Sequence, residues 1–186
     1  MSDGLQFARR IRTSPYFERV RQHGVTGYSV YNHMILPKSF GMSVEDSYWH
    51  LNENVQIWDF SVQRQVEITG PDAARLVQWL TPRDLRQAET GRCYYIPVVD
   101  RDGGMLNDPV LLKLAADRFW LSVADSDLLL YVKGLAMGGG YDVSVEEPDV
   151  NPLAIQGPKA ASVSAALFRE VVAKLKFFQF THIDLF

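Results

Sequence analysis

Hydrophobic and polar positions along the chain follow two periods. Val66-Glu67-Ile68-Thr69 alternates apolar with polar side chains, the spacing of a strand, and stops at Gly70-Pro71. Beyond it Ala73, Ala74, Leu76, Val77 and Leu80 recur at helical spacing. The same punctuation returns where Pro152-Leu153-Ala154-Ile155-Gln156 ends on Gly157-Pro158 and is followed by Ala160, Val163, Ala166 and Leu167. These segments predict an internal repeat of strand, turn and helix. Proline is expected at the first helical position, where its missing N–H costs nothing. Between the repeats, residues 94–99, 110–114 and 119–123 read as a strand meander. Residues 125–135 read as a helix, with Asp125 or Ser126 as N-cap and Gly138-Gly139-Gly140 as the stop, and 141–145 as a last strand. The pattern as a whole predicts an α+β fold of antiparallel sheets with helices packed on one face.

One turn in this pattern bears on chemistry. Asp100-Arg101-Asp102-Gly103-Gly104 supplies a hairpin, because two glycines permit the positive φ that a sharp turn needs. Met105-Leu106-Asn107-Asp108-Pro109 follows and sets an acid at the mouth of the 110–114 strand, on backbone rather than on a loose loop. Spacing alone allows two readings of Asp108, as a cap of the turn or as a carboxylate displayed to a ligand.

Composition narrows the classes. The chain has 186 residues, 47% of them hydrophobic, enough for a real core. A formal net charge of −3 and the absence of a dense Lys/Arg stripe leave no electrostatic footprint for nucleic acid. No apolar run approaches the length of a membrane span. The single cysteine, Cys93, has no partner for an intramolecular disulfide and suits a reducing cytosol. Its apolar strand points to a structural thiol. Met1-Ser2-Asp3-Gly4 opens without a signal-peptide pattern, so a cytoplasmic location is expected. His23, His33, His50 and His182 are scattered, and no metal site is expected. Gly103-Gly104 lacks the Lys-Ser/Thr pair of a phosphate loop. Arg9, Arg10, Arg12, Arg19 and Arg21 fall in residues 1–24, which read as a peripheral arm with a solvated surface.

The Gly103-Gly104 to Asn107-Asp108 segment resembles the signature of the folate-dependent aminomethyltransferase family, which includes the T-protein of the glycine cleavage system. That signature is Gly-Gly, two residues, and a polar or acidic pair whose second member is the functional aspartate. Further matching pieces stand in family order: Trp58-Asp59-Phe60-Ser61, Ile68-Thr69-Gly70-Pro71-Asp72-Ala73-Ala74, Leu80-Thr81-Pro82-Arg83-Asp84-Leu85 and Ile155-Gln156-Gly157-Pro158-Lys159-Ala160. Within the family, Tyr31-Asn32-His33-Met34-Ile35-Leu36-Pro37, Gly104-Met105-Leu106-Asn107-Asp108-Pro109-Val110 and Ala124-Asp125-Ser126-Asp127 are similar to the dimethylsulfoniopropionate demethylase branch. Val62 and Ala124 depart from the T-protein pattern, which usually has histidine at the first position and commonly asparagine near the second.

The resemblance implies transfer of a methyl group from a sulfonium, such as dimethylsulfoniopropionate, to tetrahydrofolate. It implies that Asp108 is the catalytic residue and contacts the folate, and that Tyr95, Asn107 and Phe178 line the cofactor pocket with it. Tyr31, Asn32 and Met34 match the segment that approaches substrate, and Lys38 would meet the substrate carboxylate. On the residues alone, Tyr95 reads as well as a core tyrosine, and Phe178, in a Phe-Phe strand, reads more readily as core than as a pterin contact. Aminomethyl transfer of the glycine-cleavage type, O-demethylation of a methoxylated aromatic, and a non-catalytic folate-binding module stay open as alternatives.

Members of the family are about twice this length and continue past the equivalent of Phe177-Phe178-Gln179-Phe180. The resemblance therefore implies the N-terminal part of a folate-binding domain over 25–186, truncated before its second half, with a pocket that draws on both halves. The expected partners are a small-molecule methyl donor and either a second copy of the chain or a partner chain supplying the missing half. Neither nucleic acid nor membrane is expected.

Overall fold

The computed structural model describes residues 10–124 and 127–184. In chain order its elements are α1 (Phe17–Gln22), β1 (Gly27–Tyr31), β2 (Met34–Ser39), α2 (Val44–Glu53), β3 (Gln56–Asp59), β4 (Gln65–Thr69) and α3 (Ala73–Leu80). They continue with β5 (Arg92–Tyr95), β6 (Val98–Val99), β7 (Met105–Asn107), β8 (Val110–Ala115), β9 (Arg118–Ser122) and α4 (Leu128–Gly139). The last are β10 (Ser144–Glu146), β11 (Leu153–Gln156), α5 (Ala160–Phe168) and α6 (Glu170–Ala173). Two units are distinguished: Met1–Val62 with Asn151–Leu167, and Gln63–Val150 with Phe168–Phe186.

In the second unit the alternation read from the sequence builds a five-stranded sheet, ordered β10-β4-β9-β8-β5, with every neighbouring pair antiparallel. The register sets Val66 opposite Leu121, Ile68 opposite Phe119, and Leu111 opposite Leu121, so these side chains share one face. That face is covered by Ala73, Leu76, Val77 and Leu80 of α3 and by Leu128, Val132 and Ala136 of α4. A fully buried leucine or isoleucine here contributes about 1.5–3 kcal/mol. The helices thus lie on one face of an antiparallel sheet, as the residue pattern predicts.

The opposite face of β4 is buried and polar. Glu67 Oε1 accepts from Arg118 Nε at 2.6 Å and from Trp120 Nε1 at 2.7 Å, and Gln65 Nε2 donates to Ser122 Oγ at 3.0 Å. Such groups tolerate burial because they are hydrogen-bonded.

The first unit holds two small antiparallel pairs, β1 with β2 and β3 with β11. Asn32 and His33 form the β1–β2 turn with φ of 48° and 62°, and asparagine suits two successive positive values. Arg12 extends this pair in parallel beside Met34, donating to His33 O and accepting from Ile35 N–H, both at 2.8 Å. Helix α2 starts at Ser43, whose hydroxyl accepts the Asp46 N–H at 3.0 Å and donates to the Asp46 carboxylate at 2.7 Å.

Several boundaries differ from the sequence reading. Each helix after a Gly-Pro begins two residues beyond the proline. Proline instead opens a turn in which Ala73 N–H donates to Gly70 O, and Ala160 N–H to Gly157 O, both at 3.0 Å. The 94–99 strand is divided into β5 and β6, because Pro97 has no N–H with which to continue a ladder. Helix α4 runs through Gly138 and Gly139 and ends at Gly140, whose φ of 63° makes the left-handed cap. Asp127 holds its N-cap position, and the expected caps Asp125 and Ser126 lie outside the described residues. The strand expected over 141–145 is confined to 144–146, since Val143 N–H turns back to Tyr141 O at 3.0 Å. Among the described residues, no helix is long and apolar enough to cross a membrane.

Candidate functional site

The β6–β7 hairpin is closed by Asp100. Its Oδ1 accepts the N–H groups of Asp102 at 2.9 Å and Gly104 at 2.8 Å, and its own N–H donates to Gly104 O at 2.9 Å. Gly103, at φ 84°, supplies the left-handed residue the turn requires. Asp100 is therefore the cap, and the reading of Asp108 as a turn cap falls away.

Asp108 lies between β7 and β8, and the backbone on either side is fixed. Asn107 is buried and pairs with Val98, while Val110 pairs with Tyr95 on one side and Ser122 on the other. Pro109 is fully buried, and its carbonyl accepts the Ile96 N–H at 3.1 Å. This register brings the Tyr95 hydroxyl onto Asp108 Oδ2 in a short hydrogen bond. The bond to the carboxylate, with burial adding to it, pushes the Tyr95 phenol above its ordinary value and keeps it a donor. Asp108 Oδ1 accepts no hydrogen bond from the described residues. Tyr95 is 49% exposed, so the pair is presented at the surface of its unit.

Phe178 reaches the same neighbourhood through the backbone. Its carbonyl accepts the Cys93 N–H at 2.8 Å, and Phe180 N–H donates to Gly91 O at 3.2 Å. The segment thereby closes the outer edge of β5, two residues from Tyr95. Phe178 has a φ of 58°, and its ring lies 4.4 Å from that of Phe177. Burial pushes the Cys93 thiol up, which keeps it protonated and a poor nucleophile.

One further residue belongs here. Arg83 Nη1 donates to Tyr95 O at 2.6 Å, and the guanidinium stands over the Tyr94 ring at 5.5 Å. In the sequence Arg83 stands inside the Leu80-Thr81-Pro82-Arg83-Asp84-Leu85 motif. That motif membership is the signal that could have found it.

The expected substrate residues lie in the first unit. Tyr31 and Met34 face each other across the β1–β2 turn; Tyr31 is exposed and Met34 is buried. Asn32 is buried, and its Nδ2 donates to Val62 O at 2.8 Å. Lys38 is exposed at a bulge of β2, where the register jumps from Tyr28–Pro37 to Gly27–Ser39. Tyr95, Asn107, Asp108 and Phe178 thus assemble around β5 in one unit, and Tyr31, Asn32, Met34 and Lys38 on one hairpin in the other. Among the described residues no group of three His, Cys, Asp or Glu side chains is placed to hold a metal ion.

Comparison with known proteins adds to this geometry. Residues 16–186 match the family model described as the GCVT N-terminal domain. Dimethylsulfoniopropionate demethylase of Ruegeria pomeroyi is 49% identical over 176 residues, covering 95% of this chain and 48% of that protein. The crystal structure of glycine cleavage system aminomethyltransferase T from Bartonella henselae matches with a TM-score of 0.81 at 24% identity, covering 91% of this chain and 46% of that one. The likeness in structure shows the fold, a mixture of helices with antiparallel sheet. This chain spans about half the length of both relatives.

Proposed function

The chain belongs to the GCVT N-terminal domain family, and from that premise we propose that it is the N-terminal part of a tetrahydrofolate-dependent methyltransferase whose methyl donor is a sulfonium such as dimethylsulfoniopropionate. The observation that carries the reading is the Tyr95–Asp108 pair, held on paired strands at the position the family signature marks. The similarity to the Ruegeria pomeroyi demethylase over 95% of this chain supports the choice of donor.

The residues present suit a reduced pterin. Such a ring offers N–H donors and flat apolar faces, and the site offers the aromatic side chain of Tyr95 and an oxygen of Asp108, Oδ1, that accepts no hydrogen bond from the described residues, with the Phe178 backbone on the outer edge of β5. Tetrahydrofolate, when bound, supplies the amine that accepts the methyl group. Asp108 then acts as a fixed negative charge that favours positive charge developing on that amine. Tyr95, donating to Oδ2, leaves Oδ1 as the acceptor available to a ligand. A sulfonium leaves as a neutral thioether and needs no acid, so positioning dominates and can supply about 7–11 kcal/mol. Tyr31 and Lys38 are the donor-binding candidates of the first unit by family resemblance, since an aromatic face is worth about 0.5–2 kcal/mol to a sulfonium and an ammonium pairs with a carboxylate. A cytoplasmic setting belongs to the same proposal, in keeping with a single free cysteine.

Calorimetric titration of the 186-residue chain with tetrahydrofolate tests this. Saturable binding is expected, weakened about tenfold or more in Asp108→Ala, a change of about 1.4 kcal/mol. Adding dimethylsulfoniopropionate should then yield methylated tetrahydrofolate and 3-(methylthio)propionate. A folded chain without affinity for tetrahydrofolate, or a variant that binds it equally well, would overturn the reading.

A further inference from the structure

Six arginines of the 63–150 segment, Arg64, Arg75, Arg86, Arg92, Arg101 and Arg118, each have a carboxylate within 3.6 Å. Arg83 has none among the described residues. Its neighbour Asp84 is already taken: Arg86 Nε and Nη2 engage both carboxylate oxygens at 2.7–3.1 Å and hold that group at a pKa of about 2. The Arg83 guanidinium therefore meets the Tyr95 main chain with no carboxylate paired to it among the described residues.

Arg83 is nonetheless fixed in place. Its N–H donates to Thr81 Oγ1 at 3.3 Å, and its carbonyl accepts from Gln78 Nε2 at 2.9 Å. Gln78 Oε1 in turn accepts the Leu85 N–H at 2.8 Å, so one α3 side chain ties down both flanks of the loop. At the far end the guanidinium is held by Tyr95 O and the face of Tyr94. Tyr95 O uses one N–H of the fork, and the remaining donors meet no protein acceptor among the described residues. A planar, always-charged group with spare donors and little freedom left to lose is the arrangement that recognises a carboxylate through two parallel hydrogen bonds.

We propose that Arg83 binds a carboxylate of the ligand held at the Tyr95–Asp108 site, a step that rests on the folate reading above. Two ligand groups share this chemistry: the glutamyl tail of the folate and the carboxylate of the sulfonium donor. Calorimetry on wild type, Arg83→Gln and Arg83→Lys separates them with four probes. Tetrahydrofolate is compared with 6-methyltetrahydropterin, which lacks the tail, and dimethylsulfoniopropionate with its carboxamide.

Arg83→Gln is expected to weaken one carboxylated ligand about tenfold or more and to leave its carboxylate-free counterpart unchanged. The pair that splits identifies the source. Arg83→Lys should recover only part of the loss, because an ammonium lacks the fork. Equal weakening of both members of each pair would mean that Arg83 only positions Tyr95 through its carbonyl, and would overturn the proposal, as would no weakening at all. If wild type binds neither pterin, the folate reading fails by itself and the sulfonium pair still decides Arg83. If wild type binds none of the four, both fail.

Discussion

Gly70 and Gly157 turn the chain alike, at φ 126° and 124°, and each is followed by the same hydrogen-bonded step into a helix. Their surroundings differ. The four residues of β4 from Gln65 to Ile68 are buried, and α3 buries four more side chains. By contrast β11 has no buried residue, and neither has α5. The reason is position within the sheets: β4 runs between β10 and β9, whereas β11 has β3 as its partner. Side-chain supply agrees, since α3 brings Leu76, Val77, Trp79 and Leu80, and α5 is largely alanine and serine. Turn punctuation is a local property, while burial is conferred by neighbours distant in sequence. The candidate site is tied to the buried copy, because α3 runs directly into the Thr81-Pro82-Arg83 loop that grips Tyr95.

The sharpest test of this contrast compares one leucine from each helix. Leu76→Ala should cost about 2–5 kcal/mol, the range for a cavity in a core that cannot collapse. Leu167→Ala, at a position 56% exposed, should stay within about 0.5 kcal/mol. Urea unfolding of the two variants measures both, and similar losses would break the contrast.

A smaller effect asks whether the turns themselves are equivalent. A Cβ at Gly70 would stand 2.7 Å from Asp142 O, and one at Gly157 would press on Asn54 O. Both φ values are also unfavourable for alanine. Gly70→Ala and Gly157→Ala should therefore each lose more than about 1 kcal/mol, although the strands and helices they join differ in burial. A loss at Gly70 alone would mean that burial, not the turn, sets the requirement for glycine.

These contrasts mark what was legible in the residues. Gly-Pro turns, the alternation of β4 and β9 and the hairpin at Gly103 are written in short segments, and they appear where expected. The end of α4 was not legible, because Gly138 and Gly139 are tolerated inside a helix and only Gly140 takes the left-handed conformation. The division at Pro97 depends on a missing donor whose effect appears only once the partner strand is known. Asp108 could be chosen through family resemblance, yet its bond to Tyr95 follows from the β5–β8 register, which no short window reveals. Arg83 acts on a main-chain carbonyl, and such a contact leaves no trace in residue type.

The smallest effect tests whether the rigidity of the buried repeat extends to the Tyr95–Asp108 pair. The carboxylate raises the Tyr95 pKa in the folded chain above its unfolded value of about 10. The sign follows from linkage: the folded state retains the phenolic proton more tightly, so the contribution is complete below about pH 10 and is lost as pH rises through the raised folded value. Tyr95 is open to solvent, so the effect on global stability is small and the titration is the better readout. Phenolate absorbance of wild type minus Tyr95→Phe should show one tyrosine ionising above the ordinary range. Asp108→Asn should bring it back towards that range, because an amide donates or accepts but carries no charge. An ordinary value for Tyr95 in wild type would mean that the hydroxyl does not rest on Asp108 in solution, and the fixed backbone on either side would then not be enough to hold the pair.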